Sequence, residues 1–144
     1  MTVREWCSED TPALLFMARR FVTETPYSQF GAAPGALECM LALVLEHGIV
    51  FLAEREGALI GFLAALVAPH PLTGIPFVDE VAWWVEPEYR HGAAGPRLLQ
   101  TLEKWARTKG VPSIRMVAPA GSRVGRFYKR RGYVEIETSF LRIL

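Results

Sequence analysis

The stretch Val85-Glu86-Pro87-Glu88-Tyr89-Arg90-His91-Gly92-Ala93-Ala94-Gly95-Pro96 joins two segments of opposite periodicity. Upstream, residues 77–85 form a β-rich run that predicts a strand. Downstream, Leu98, Leu99, Leu102, Trp105 and Ala106 fall on one stripe of a helix predicted over residues 96–109, with proline near its start, basic residues in its last turn and Gly110 beyond it. Residues 113–118 read as another strand. A strand, a small-residue turn, a strong helix and a second strand make a β-α-β unit, which places the chain among α/β folds.

Working outward, residues 49–54 and 58–68 are β-rich runs separated by Arg55-Glu56-Gly57, which predicts an antiparallel hairpin with glycine supplying positive φ. Residues 69–76 hold three prolines and a glycine and read as a loop. Toward the N-terminus, residues 2–6 are extended. Asp10 or Thr11 caps a first helix that has Pro12 in its first turn and ends near Thr23, and Pro34 opens a second that Gly48 closes. Residues 25–34 between them read as a loop. Residues 122–131 predict a short helix ended by Gly132, and the chain from Tyr133 onward a final pair of strands. The expected fold is a mixed, mostly antiparallel sheet of about six to seven strands flanked by about four helices, within a single domain covering residues 1–144.

Composition narrows the functional classes. The chain is 51% hydrophobic and 22% charged, near the globular average. A net charge of +1 supplies no global field for nucleic acid, so none is expected as a partner. The longest mainly apolar stretch, residues 58–68, is too short to span a bilayer, and the first ten residues carry acids without an apolar core, so neither a membrane segment nor a signal peptide is expected. Cys7 and Cys39 read as free thiols, favouring the cytoplasm. His70 and His91 form no ligand cluster with cysteine or each other, and no metal is expected.

Backbone N–H groups at a helix start form an anion site, and small side chains let a pyrophosphate approach closely. A plain tight turn has the same composition, so the turn alone leaves both readings open. A P-loop needs Gly-Lys-Ser or Gly-Lys-Thr where this chain has Gly95-Pro96-Arg97, and the dinucleotide fingerprint needs three glycines where only Gly92 and Gly95 are present.

Arg90 to Gly95 resembles the Arg/Gln-x-x-Gly-x-Gly/Ala pattern that follows the fourth strand in GNAT acetyltransferases. The approach Val85-x-Pro87-x-Tyr89-Arg90, the downstream Leu98-Leu99 and the block Arg126-Phe127-Tyr128-Lys129-Arg130-Arg131-Gly132-Tyr133 are also similar to that family. These motifs cover the C-terminal half of the chain. Three departures stand out. Ala93 replaces a glycine, which requires negative φ there; Pro96 removes one N–H; and Gly121 or Ser122 replaces an asparagine.

The resemblance implies acetyl-CoA as co-substrate and direct attack of a neutral amine on its thioester, which needs a base, an oxyanion donor and a proton for the leaving thiolate. It places the thiolate-protonating phenol at Tyr128 and the base at Glu80 or Asp79, with Glu80 favoured. Strand alternation lets only one of the two acids face the cleft unless a bulge intervenes. For the cofactor it implies Trp84 and Val85 at the strand end, the loop residues Arg90, His91, Gly92, Ala93, Ala94 and Gly95, and Arg97, with Arg123 or Arg126 as further phosphate contacts. Trp83 and Trp84 should point to opposite faces.

The acceptor is expected to be the amine of a small molecule or peptide. The loops over residues 25–34 and 69–76 would flank it, and their few charges favour a small or uncharged-bodied amine over a highly basic peptide. The alternative is an inactive acyl-CoA-binding sensor or interaction module on the same fold. A homodimer through apolar strand edges is left open.

Overall fold

The computed structural model describes residues 1–144. Five strands form one sheet in sequence order: β1 (Thr2–Glu5), β2 (Gly48–Arg55), β3 (Ala58–Pro69), β4 (Pro76–Val85) and β5 (Ile114–Arg115). The first three pairings are antiparallel and β4–β5 is parallel. Helices α1 (Thr11–Thr23) and α2 (Ala36–His47) lie between β1 and β2, α3 (Ala94–Thr108) joins β4 to β5, and α4 (Val124–Arg130) follows.

Alternation along the strands builds two cores. Phe51, Ala53, Leu63 and Ala65 pack against Leu98, Leu99, Leu102 and Ala106 of α3 and Tyr128 of α4. Val50, Leu52, Phe62 and Ala64 face the other way, toward Leu14 and Met17 of α1 and Val44 of α2. The sheet is therefore covered on both faces.

Two local features set the register. The β2–β3 turn is a two-residue loop, Glu56-Gly57, with φ of 53° and 78°, the double positive φ of a type I′ hairpin. Helix α2 runs straight into β2 at Gly48, where an added Cβ would lie 1.9 Å from the Ala65 carbonyl oxygen. Glycine is needed there because β3 passes so close.

The structure differs from the expected elements in several places: the strand expected over residues 113–118 is only Ile114–Arg115, and the loop expected over residues 25–34 holds a 3-10 turn at Pro26–Phe30. Helix α2 begins at Ala36, because Gly35 sits in the left-handed region. Helix α3 begins at Ala94, so Pro96 falls in its first turn, where its missing donor would have no intrahelical partner. The final pair of strands is absent: residues 133–144 carry no strand, and the sheet has five strands where six or seven were expected. A strand needs a paired neighbour, and β5, the adjacent edge, pairs only with β4.

Candidate active site

The site lies where β4 and β5 part. Their pairing covers only Val78↔Ile114 and Asp79↔Arg115, and β4 then continues to Val85 paired with β3 alone. A bulge accompanies the parting: Ala64 pairs with Ala82 but Ala65 with Glu80, so Val81 is an extra residue in β4. The bulge reverses the parity of the strand. Val78 and, beyond the bulge, Trp83 and Val85 all pack on the α3 side, while Ala82 and Trp84 pack on the α1 side.

Glu80 and Asp79 consequently meet different surroundings. Glu80 Oε2 accepts the Val117 N–H at 2.7 Å, and no partner within the chain holds Oε1. Burial, aided by the neighbouring Asp79 charge, raises its pKa to about 7 against the opposing effect of the Val117 hydrogen bond. Asp79 is gripped at both oxygens by Arg115, with Nε–Oδ1 and Nη2–Oδ2 each 2.8 Å. Both Asp79 oxygens are thus committed to Arg115, whereas a carboxylate titrating near neutrality with one oxygen free suits general base chemistry.

Tyr128 donates its O–H to the Val117 carbonyl at 3.0 Å. Its ring stacks on Trp83 at 5.9 Å and contacts Tyr133 at 5.5 Å between centroids. Burial first, then the Glu80 carboxylate, pushes its pKa well above the phenol range, so it stays an O–H donor. The packing role and the polar contact coexist in this side chain.

Beyond Val85 the chain makes one short turn, Pro87–Tyr89, and enters α3. The N–H groups of His91, Ala93, Ala94 and Gly95 donate to nothing within the chain; that of Gly92 bonds to the Tyr89 carbonyl. Ala93 has φ of −82°, a right-handed conformation open to any residue, so its replacement of glycine leaves the loop undisturbed. Four free donors, small side chains and the N-terminus of a four-turn helix fit a pyrophosphate. Gly95 lies against Trp83, whose ring carbon Cζ2 would be 3.3 Å from an added Cβ.

Other residues singled out from the sequence point elsewhere. Arg90 turns back from the loop: Nε donates to the Val85 carbonyl at 2.8 Å, Nη2 pairs with Glu24 at 3.1 Å, and the guanidinium lies 4.6 Å from the Trp84 ring centroid. Arg97 donates to the Met1 carbonyl at 3.1 Å. The Trp84 side chain is buried in the α1-side core, leaving only its backbone to serve a ligand. Arg123 and Arg126 are exposed near α4. Gly121 has φ of 70°, and the neighbouring Ser122 Oγ is buried without a partner.

Val117, Arg115 and the bulge at Val81 were not singled out from the sequence. A bulge leaves no local signature, and the Val117 contribution comes from its backbone.

Comparison with known proteins bears on the family and the fold. Residues 5–133 match the model of the Acetyltransferase (GNAT) family. An amino-acid acetyltransferase of Pseudomonas syringae pv. syringae is 32% identical over 92 residues, which are 62% of this chain and 20% of that protein. The chain thus spans about a fifth of the length of the curated relatives it matches. Among solved structures, AAC(6')-Iy in complex with the bisubstrate analog CoA-S-monomethyl-acetylneamine superimposes with a TM-score of 0.79 at 18% identity, covering 99% of this chain and 97% of that one. A ribosomal-protein-alanine N-acetyltransferase from Brucella melitensis biovar Abortus 2308 gives 0.73 at 16% identity with both chains fully covered. These structures share the fold, and the match of the family model over nearly the whole length makes this chain a member of the GNAT acetyltransferase family.

Proposed function

We propose that the chain transfers the acetyl group of acetyl-CoA to the amine of a small acceptor by direct attack, with Glu80 as base and Tyr128 as the proton donor to the leaving thiolate. The observation that carries this reading is the convergence of Glu80 and Tyr128 on the peptide groups flanking Val117, at the point where β4 and β5 separate. Acetyl-CoA supplies an activated acyl group as a thioester.

The chain's own residues divide the remaining tasks. Glu80 has a free carboxyl oxygen and a pKa of about 7, so near neutrality it can take the proton of an incoming ammonium. Tyr128 holds its proton on the Val117 carbonyl until a better acceptor is presented. Val85 is assigned the thioester side of the strand through its backbone N–H, and the free N–H groups from His91 to Gly95 are assigned the pyrophosphate. Arg90 and Arg97 would have to leave Val85, Glu24 and Met1 to reach phosphate, so the backbone is the principal phosphate ligand in this proposal.

The acceptor end is apolar. Tyr27 and Phe30 of the α1–α2 connection and Leu72 and Ile75 of the β3–β4 loop are all exposed. Nothing in this set balances several positive charges, which favours a small or uncharged-bodied amine over a basic peptide. Cys7 and Cys39 are exposed and unpaired, which supports a reducing, cytoplasmic setting, and no helix is long and apolar enough to cross a membrane.

The test is calorimetric titration with acetyl-CoA, CoA and dephospho-CoA, set against Gly95→Asp, which puts a carboxylate among the free N–H groups and beside Trp83. Micromolar binding that Gly95→Asp abolishes, followed by turnover in an amine screen, supports the proposal. Absence of binding at millimolar acetyl-CoA overturns it.

A further inference from the structure

Two guanidinium groups roof one indole at the end of β4. Arg20 of α1 lies 5.5 Å and Arg90 of the following turn 4.6 Å from the Trp84 ring centroid, and Trp84 beneath them is 3% exposed. Each guanidinium also reaches across to the other element. Arg20 Nη1 pairs with the Glu86 carboxylate, and Arg90 Nη2 lies 3.3 and 3.1 Å from the two oxygens of Glu24. Two reciprocal ion pairs over one ring thus join the end of α1 to the turn after β4, and a planar guanidinium gains from charge pairing and stacking together.

Arg90 holds a third point. Glu86 donates its N–H to the Ile60 carbonyl, so strand alternation turns the N–H and C=O of Val85 away from β3, to the edge that β5 has left. Arg90 Nε donates to that carbonyl at 2.8 Å, which leaves the Val85 N–H for the thioester.

At its other end Arg90 sets the foot of the α1–α2 connection. Glu24 closes α1, where a carboxylate meets the negative end of the helix dipole, and Arg90 offsets that repulsion. Residues 26–35 follow, and their hydrogen bonds run only among themselves, back to Thr25 and into α2. None reaches the sheet. The Glu24–Arg90 pair is therefore the polar link between the start of this connection and the turn that carries the free N–H groups.

We propose that Arg90 is a positioning residue: its guanidinium fixes the α1–α2 connection, with Tyr27 and Phe30, relative to the Val85 N–H, and phosphate is left to the backbone. This role rests on the acetyl-transfer reading, which supplies the cofactor strand and the acceptor flank that Arg90 joins. A lysine in its place keeps the charge a phosphate would need but cannot serve Val85 and Glu24 from one plane. Glu24 is equally necessary to the link, and a carboxylate is no phosphate ligand, so the two roles of Arg90 separate by experiment.

Hydrogen exchange on the free protein should show the amides of Glu24, Thr25, Ser28 and Gly31 exchanging up to about fivefold faster in Arg90→Ala, Arg90→Lys and Glu24→Gln alike, with β2 and β3 unchanged. Calorimetry should give CoA affinities near wild type for all three variants. Saturating CoA, by restraining the turn, should slow exchange at Glu24 and Thr25 in wild type and have no such effect in Glu24→Gln. Unchanged exchange in all three variants overturns the proposal, and so does slowing by CoA that persists in Glu24→Gln. A CoA affinity about tenfold or more weaker in Arg90→Ala, restored in Arg90→Lys and intact in Glu24→Gln, also overturns it, because that is the signature of a phosphate contact. The first arm needs no cofactor: if wild type binds no CoA the acetyl-transfer reading fails, and the link is still judged on exchange in the free protein.

Discussion

Glu80 and Tyr128 are joined through Val117: the Glu80 carboxylate accepts that residue's N–H at 2.7 Å, and the Tyr128 hydroxyl donates to its carbonyl at 3.0 Å. Neither contact belongs to a regular ladder. Both occur just past the last β4–β5 pair, so side chains replace the strand that has turned away.

Glu80 should control the acid side of the activity profile. With its pKa at about 7, kcat/KM should rise through an acid limb near that pH, in addition to any limb from the amine itself. Glu80→Gln should remove the limb and lower the plateau by about 10²-fold. The same shift bears on stability. The folded carboxyl binds its proton more tightly than the ordinary value of 4.5 allows, so wild type relative to Glu80→Gln should be most stable below pH 4.5, decline as pH rises to about 7, and level off above. Thermal unfolding of both proteins across pH 4 to 8 checks the sign.

Asp79→Asn should behave differently. Asp79 is already committed to Arg115, so its loss should leave most of the activity and, for a partly exposed pair, cost about 0–1 kcal/mol. Its negative charge helps to raise the Glu80 pKa, so the acid limb should move to lower pH. A pH profile that lost its limb in Asp79→Asn would exchange the roles of the two acids.

Tyr128→Phe keeps the ring packed on Trp83 and removes only the phenolic donor. Stability should fall by about 1 kcal/mol for the lost Val117 hydrogen bond. The kcat should fall by about 10²-fold while acetyl-CoA affinity measured by calorimetry stays near wild type. An equal loss in binding and turnover would reduce the hydroxyl to a structural part.

Gly48→Ala should be among the most damaging single-methyl additions in the chain. The new Cβ would meet the Ala65 carbonyl oxygen at 1.9 Å and the Leu66 Cα at 2.9 Å, and because these are backbone atoms of β3 no flexible side-chain end is there to yield. A loss of more than about 4 kcal/mol is expected, read from urea unfolding or from failure to obtain folded protein.

Much of the frame was legible because its causes are local. The five-residue apolar stripe of α3, the turn at Glu56-Gly57 and the proline-rich break before β4 each lie within a few positions of one another. The family pattern around Arg90 and Tyr128 lies within residues 5–133, which match the GNAT family model. The terminal strands were over-read because β-rich residues 134–144 have the composition of a strand without a neighbour in the same chain to pair with.

The sequence by itself determined that a strand ends at Val85, that a small-residue turn with free N–H groups opens a strong helix, and that Ala93 could stand in for glycine if its φ were negative. Only the tertiary structure decided that Glu80 faces Tyr128 while Asp79 pairs with Arg115, because one extra residue at Val81 overrides the two-residue alternation from which a side chain's face is read. It also decided that Arg90 spends its guanidinium on Val85 and on Glu24, 66 positions earlier. Periodicity encodes which way a residue faces within its own element; ladder register, desolvation and the partners of a long charged side chain depend on residues far away in the chain, and are set only when the elements pack.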